Sequence, residues 1–311
     1  MKTAVIICGV LRDLDNSLEC INKYVVESLN ADVFIHSWNY KSIMDDKWNI
    51  NILDGETTKI ISAEAQEKFE KVTADLNCTD EELRKKVNHH LTPKKMIISN
   101  HKMFIEKNLE KIKILNGRKT HVRVSGFNTY SAQYSKYRAH LLMKDEEKRS
   151  GVKYDMVFKY RTEAIFLEKP DLFTKEWFKN SIEEDKKEIF VPAAWGLKPE
   201  GRGKGKCHQM KKKANFNDTV AFGHRESMEV YNTSFLRLEN ICLDKKIYNN
   251  HYISPVDLYN HDIAVIYVKW PWEIRKKVYM CDCTIGKAAF MDIPHKTNWS
   301  DSMIYFPKKI K

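Results

Sequence analysis

Charged and polar residues stand where short apolar runs stop. Arg12 follows TAVIICGV at 3–10, and His36, Ser37 and Trp38 close ADVFIHSW at 31–38. Arg161 and Glu163 interrupt YDMVFKYRTEAIFLE at 154–168. Asp218 precedes TVAFG at 219–223, with His224 and Arg225 beyond it. An arginine presents a planar fork of donors that matches phosphate oxygens. A carboxylate offers hard oxygen to a divalent cation, or acts as a base toward a hydroxyl proton. Together these groups have the chemistry to handle a phosphorylated ligand. Residues 196–215 add four of the eleven glycines and seven Lys or Arg, among them Lys204 and Lys206. A segment so rich in glycine and like charge is expected to move and to need an anion. It reads as a lid over a diphosphate, or else as a solvated or membrane-facing charge run.

Familiar phosphate and nucleophile motifs are missing. No G-x-x-x-x-G-K-[ST] occurs, and no G-x-G-x-x-G follows the first apolar run, which argues against P-loop kinases and dinucleotide oxidoreductases. G-x-S-x-G and H-E-x-x-H are absent too. Gly201-Arg202-Gly203-Lys204-Gly205 has neither the spacing of a phosphate loop nor a strand before it. Asp13-Leu14-Asp15 is a literal D-x-D, but it sits on the first loop, where helix N-capping is the plainer reading.

The elements that must position these residues alternate. Residues 3–10 read as a buried strand, and Leu18, Ile21, Val25 and Leu29 recur at helical spacing before a second strand at 31–37. A crossover that short places two parallel strands side by side. In open sheets of this kind ligands bind outside the carboxyl ends of the strands, which predicts that Arg12, Arg161 and Glu163 converge. Residues 41–120 are rich in Lys and Glu and read as a helical insertion broken at Pro93. Tyr130, Tyr134, Tyr137 and Leu141 form a helical stripe for core packing that ends at Gly151. On its flanks Gln133 and Lys136 are the donor-facing candidates. EIFVPAAW and TVAFG read as further strands, 226–243 as one helix, and 255–268 as a helix and strand before a peripheral Lys-rich end.

The fragments CGVLRD, LNADVFIHSW, YSAQYSKYRAHLL with KYDMVFKYRTE, and FNDTVAFGHRESMEVY, in that order, resemble bacterial and viral glycosyltransferases of surface-polysaccharide pathways. The resemblance covers 3–38, 129–166 and 216–232. It implies a GT-A-like α/β fold, a Rossmann-like and mostly parallel sheet flanked by helices. One domain would span 1–311, with a nucleotide-sugar-binding half at 1–166 and an acceptor-binding half at 167–311 that carries the basic loop. The donor would be a nucleotide-diphosphate sugar and the acceptor a saccharide or a lipid-linked glycan. Such enzymes hold Mn²⁺ or Mg²⁺ on a strand-end acidic motif, and the matching place here is Arg161-Thr162-Glu163, where R-x-D is usual. The resemblance thus makes Glu163 the metal candidate. Arg12, Arg161, His36, Lys204 and Lys206 become donor contacts, and Asp218 the base on the acceptor side, or simply a turn-forming residue.

Composition agrees with this class without selecting it. The 311 residues carry 53 basic and 42 acidic side chains, a net charge of +11 that favours an anionic partner. A nucleic-acid-binding module using residues 198–213 is the competing reading, yet the basic residues there are flanked by glycine rather than by stacking aromatics. Seven scattered cysteines read as reduced thiols. The run from Ala4 to Leu11 has the flanks of a buried strand and not those of a signal peptide. A cytoplasmic protein, at most peripheral to a membrane, is the expectation.

Overall fold

A computed structural model describes residues 1–11, 14–39, 78–116, 125–162, 164–166, 171–184, 186–192, 218–245, 250–268, 272–274, 277–282, 287–292 and 303–305. The chain begins with β1 (Thr3–Gly9), α1 (Leu14–Ile21), a π-helical stretch Asn22–Val26, α2 (Glu27–Leu29) and β2 (Asp32–Trp38). Next come α3 (Asp80–His90), β3 (Lys95–Ser99), α4 (His101–Asn116), α5 (Ser125–Ser150), β4 (Met156–Tyr160) and β5 (Ala164–Phe166). A 3-10 turn at Asp171–Thr174 leads to α6 (Glu176–Glu183), β6 (Glu188–Pro192), β7 (Val220–His224) and α7 (Arg225–Asn232). A second 3-10 turn, Ser234–Arg237, leads to α8 (Leu238–Lys245), α9 (Asn250–Asn260) and β8 (Ala264–Val268). The last strands are β9 (Trp272–Ile274), β10 (Lys277–Asp282), β11 (Lys287–Asp292) and β12 (Met303–Tyr305).

The fold is α/β. Among the described residues, eight strands make one mixed sheet in the order β12-β8-β6-β7-β4-β1-β2-β3. β1 pairs in parallel with β2 and β4, β2 with β3, and β6 with β8, while β7 runs antiparallel to β4 and β6, and β12 to β8. Six of the eight strands therefore point the same way. As expected, the strand at 3–10 neighbours the one at 31–37, with Ala4 opposite Asp32.

Both faces are covered, which is why β1 reads as an unbroken apolar run. Val5 and Ile7 pack with Leu18, Val25, Leu83 and Phe178 on one face. Ala4, Ile6 and Cys8 pack with Ala139, Met143, Met228 and Leu258 on the other, which belongs to α5, α7 and α9. Phe222 stacks between Phe158 and Phe190 at centroid distances of 5.3 and 5.5 Å, joining the central strands. Gly223 lets β7 approach β6, because a Cβ there would lie 2.7 Å from the carbonyl oxygen of Glu188.

Several expectations are corrected. Residues 95–99 are a sheet strand and not part of a helical insertion, because the apolar run MIIS after Pro93 extends the sheet beyond β2. The single helix expected over 226–243 breaks at Thr233, whose hydroxyl bonds the carbonyl of Glu229, into α7, a 3-10 turn and α8. The C-terminal segment supplies an edge strand, β12. Two expectations hold in detail. Gly151 caps α5 at φ +71°, its N–H donating to the Glu147 carbonyl at 2.9 Å, and the tyrosine stripe packs on Trp38, Phe104 and Phe235.

Candidate functional site

The carboxyl ends of β1, β2 and β4 share one edge of the sheet. Because β7 is antiparallel to β4, its first residues come to that same edge, with Val220 opposite Tyr160. The edge therefore gathers Gly9, His36, Arg161 and Asp218 from four separate strands.

Arg161 is held by its backbone. Its N–H donates to the carbonyl of Thr219 at 2.9 Å, and its carbonyl accepts from Ala164 at 3.1 Å, closing a tight turn. The Tyr160 hydroxyl reinforces that turn by donating to the Ala164 carbonyl and reaching the Ser17 carbonyl at 3.3 Å. Thr162 ties the turn to the first loop, with Oγ1 3.4 Å from the carbonyl of Val10. From this frame Arg161 Nη1 donates to Asp218 Oδ2 at 3.0 Å. The arginine side chain is 29% exposed and the aspartate 7%, so the pair has one face toward solvent and one toward the core.

Behind the pair, on the face covered by α5 and α7, lies a buried polar layer. Lys159 sits inside β4 and donates from Nζ to the Thr219 carbonyl at 3.4 Å. Lys136 of α5 donates to Ser234 Oγ at 3.0 Å and Ser254 Oγ at 3.3 Å, with its ammonium 3.7 Å from the centroid of the Tyr231 ring. Burial pushes Lys136 down to about 7, and the nearby charge of Lys159 acts the same way. Burial likewise pushes the Cys8 thiol up, against the fields of Lys159, Arg161 and Lys136. Cations thus dominate the interior side of this edge, the electrostatic requirement for holding an anion in a low-dielectric setting.

The first strand ends in a conformation only glycine takes easily. Gly9 has φ +103°, with no atom of the described residues within 4 Å of a Cβ placed there, so the backbone angle selects glycine. Its N–H donates to Ser135 Oγ at 2.7 Å. His36 uses both ring nitrogens internally, Nδ1 to Ser135 Oγ at 2.8 Å and Nε2 to Ser99 Oγ at 3.0 Å. Burial, with the charge of Arg138, lowers it to about 3, so this ring is neutral at physiological pH. His36 underpins the edge from below.

Of the residues singled out from the sequence, Arg161 and Asp218 meet directly, and His36 lies beneath the same edge. Arg12, Glu163, Lys204 and Lys206 lie outside the described residues, as does the whole of the basic loop 196–215. Of the strands that bracket that loop, β6 ends at this edge and β7 begins there. His224 and Arg225 are corrected. His224 sits opposite Met156, and the Arg225 N–H donates to the Asp155 carbonyl at 2.9 Å, both at the far edge because β7 runs against β4. There Arg225 makes a two-pronged pair with Glu147 at 2.7 and 2.9 Å, and the His224 ring caps α7. Gln133 and Lys136 are buried between helices, and Gln133 bonds Ser234 at 2.6 Å and Ser254 at 3.2 Å. Lys159 was missed, although a lysine inside the apolar strand MVFKY is the kind of placement that marks a buried, purposeful charge.

Among the described residues, no group of three or more His, Cys, Asp or Glu is placed to hold a metal ion. Around Arg161 the described side chains are mostly cationic and do not by themselves form a cation site. Among the described residues, no helix is long and apolar enough to cross a membrane. No protein-family model and no curated protein matches the chain. Among solved structures, mouse xyloside xylosyltransferase 1 in its apo form is similar in fold over 86% of this chain and 84% of its own, at 8% identity and a TM-score of 0.39. That likeness is too distant to extend to activity.

Proposed function

We propose that the chain is a glycosyltransferase that moves a sugar from a nucleotide-diphosphate donor to a saccharide or lipid-linked acceptor. One observation carries the reading. The Arg161–Asp218 pair stands where the carboxyl ends of β1 and β4 meet the start of β7, with Lys159 and Lys136 buried behind it. The arginine and the lysines are suited to a diphosphate, whose charge grows as the glycosidic bond breaks. Asp218, beside them, is suited to accept the proton of an attacking hydroxyl. The proposal includes cytoplasmic residence with peripheral membrane contact. It also includes a divalent cation, which when bound would add Lewis-acid stabilisation of the diphosphate, with Glu163 as its candidate holder.

The test is a thermal-shift panel of UDP-, GDP-, CMP- and dTDP-sugars, each with and without Mn²⁺. A donor at a hundred times its dissociation constant is expected to stabilise the fold by about 2.7 kcal/mol. Arg161→Met is expected to weaken that donor roughly 10- to 100-fold, the loss of one charge-assisted contact. A panel without response, or an Arg161→Met variant that binds as wild type does, would overturn the reading. A salt-dependent shift on single-stranded DNA in its place would transfer the protein to the nucleic-acid-binding class.

A further inference from the structure

Lys136 is an unusual choice for the inside of a helical layer. It is 3% exposed, and among the described residues it meets two serine hydroxyls and an aromatic face. Among the described residues no carboxylate lies within salt-bridge distance of its ammonium. The serines are themselves committed, Ser234 donating to Gln133 Oε1 at 2.6 Å and Ser254 accepting from Gln133 Nε2 at 3.2 Å. A structural pin between α5, α9 and the 3-10 turn would need only a neutral donor, and a buried charge that serves no purpose is selected against by its desolvation.

We propose that Lys136 is the inner cation of the anion site and takes up a proton when a diphosphate-bearing ligand docks on Arg161. The inference rests on the donor reading above and deepens it. The groups facing Lys136 come from every packed element. Cys8 of β1 and Lys159 of β4 lie on the sheet side, with Asp218 at the start of β7. Tyr231 belongs to α7, and Ser254 and Asp257 to α9. The thiol and the phenol are pushed up by burial and stay neutral. Asp257 is held by Arg237, through contacts of 2.8 and 2.7 Å, and Asp218 by Arg161. Both carboxylates are thus already matched by an arginine, and Lys136 stands near half-charge around pH 7 because burial and Lys159 outweigh them. Asp218 already acts on Lys136 through space. A diphosphate seated beside Asp218 on Arg161 brings more negative charge to the same neighbourhood. It must favour the ammonium over the amine. The proton comes from solvent and binds the Nζ lone pair, with no other bond changed.

The sign of the linkage follows. Binding raises the proton affinity of Lys136, so uptake occurs above about pH 7, and donor affinity falls as pH rises through that range. The probe is the tightest binder among UDP, GDP, CDP and dTDP. Its titration is followed calorimetrically at pH 8 in HEPES and in Tris, whose ionisation enthalpies differ. Wild type is expected to take up about half a proton or more per ligand, with affinity dropping several-fold between pH 7 and 9. Lys136→Met is expected to show neither effect. Lys136→Arg, which keeps a charge that does not titrate, is expected to bind without the extra uptake, and its circular dichroism reports whether the layer remains folded. Ligand binding with equal proton uptake in wild type and Lys136→Met would overturn this inference and leave the donor reading intact. Failure of all four nucleotides to bind would overturn both.

Discussion

Replacing Arg225 with methionine separates architecture from chemistry. The guanidinium is 6% exposed and grips Glu147, itself 5% exposed, through Nε–Oε1 at 2.7 Å and Nη2–Oε2 at 2.9 Å. Arg225→Met leaves that carboxylate buried with Lys144, at 3.6 Å, as its remaining cation. Stranding one member of a buried pair costs roughly 3–5 kcal/mol, and the surviving lysine places this case near 3. With an unfolding entropy of roughly 2.1 cal/mol/K per residue over 311 residues, the melting temperature should fall by about 4–5 °C. The pH dependence gives a sharper test. In the wild type, burial pushes Glu147 up, but hydrogen bonds from Arg225 and from the Tyr154 N–H, with the charges of Arg225 and Lys144, outweigh it and hold the group below its ordinary value. A depressed carboxyl contributes stability that is present above the unfolded pKa, about 4.3, and is lost as pH falls through the folded one. In Arg225→Met burial dominates, and protonating Glu147 relieves the stranded charge. The stability gap between the two proteins should therefore narrow as pH drops from 7 to 4.5, and Glu147→Gln added to Arg225→Met should recover part of the loss. Thermal melts across pH check both points, and donor binding at 25 °C should be unchanged. A gap that is constant with pH, or below about 1 kcal/mol, would refute the reasoning. Lost donor binding in a folded Arg225→Met protein would return this residue to the functional edge.

Asp218→Asn keeps the shape and one acceptor beside Arg161 while removing the base. Transfer should drop by about 10²- to 10⁴-fold with donor affinity retained, as read by turnover and calorimetry on the same preparation. Gly223→Ala drives a Cβ to within 2.7 Å of the Glu188 carbonyl, backbone against backbone. It should destabilise by about 1–3 kcal/mol in a denaturant melt. His36 should remain neutral by nitrogen NMR at pH 5, since burial and Arg138 lower it to about 3. Its folded value lies below the unfolded one, so its contribution to stability is full above about pH 6.5 and is lost as pH falls toward 3.

Local pattern made much of the frame legible. The apolar runs at β1, β2 and β4, the stripe along α5 and the cap at Gly151 all follow from short-range sterics and side-chain period, which a single segment carries within itself. Pairing between distant segments is a different kind of fact. TVAFG reads as a strand in isolation, yet nothing within it dictates that it runs against β4. That direction alone brings Asp218 to Arg161 and carries His224 and Arg225 to the far edge. Lys95–Ser99 was hidden by its Lys-rich surroundings, and it became a strand only because the free edge of β2 was there to pair with it. The buried lysines show the same division. Their presence is written in YSAQYSKYRAHLL and MVFKY, but their common burial behind Arg161 depends on α5 lying across β1 and β2 beside β4, since a charge is isolated from water only by neighbours supplied from elsewhere in the chain.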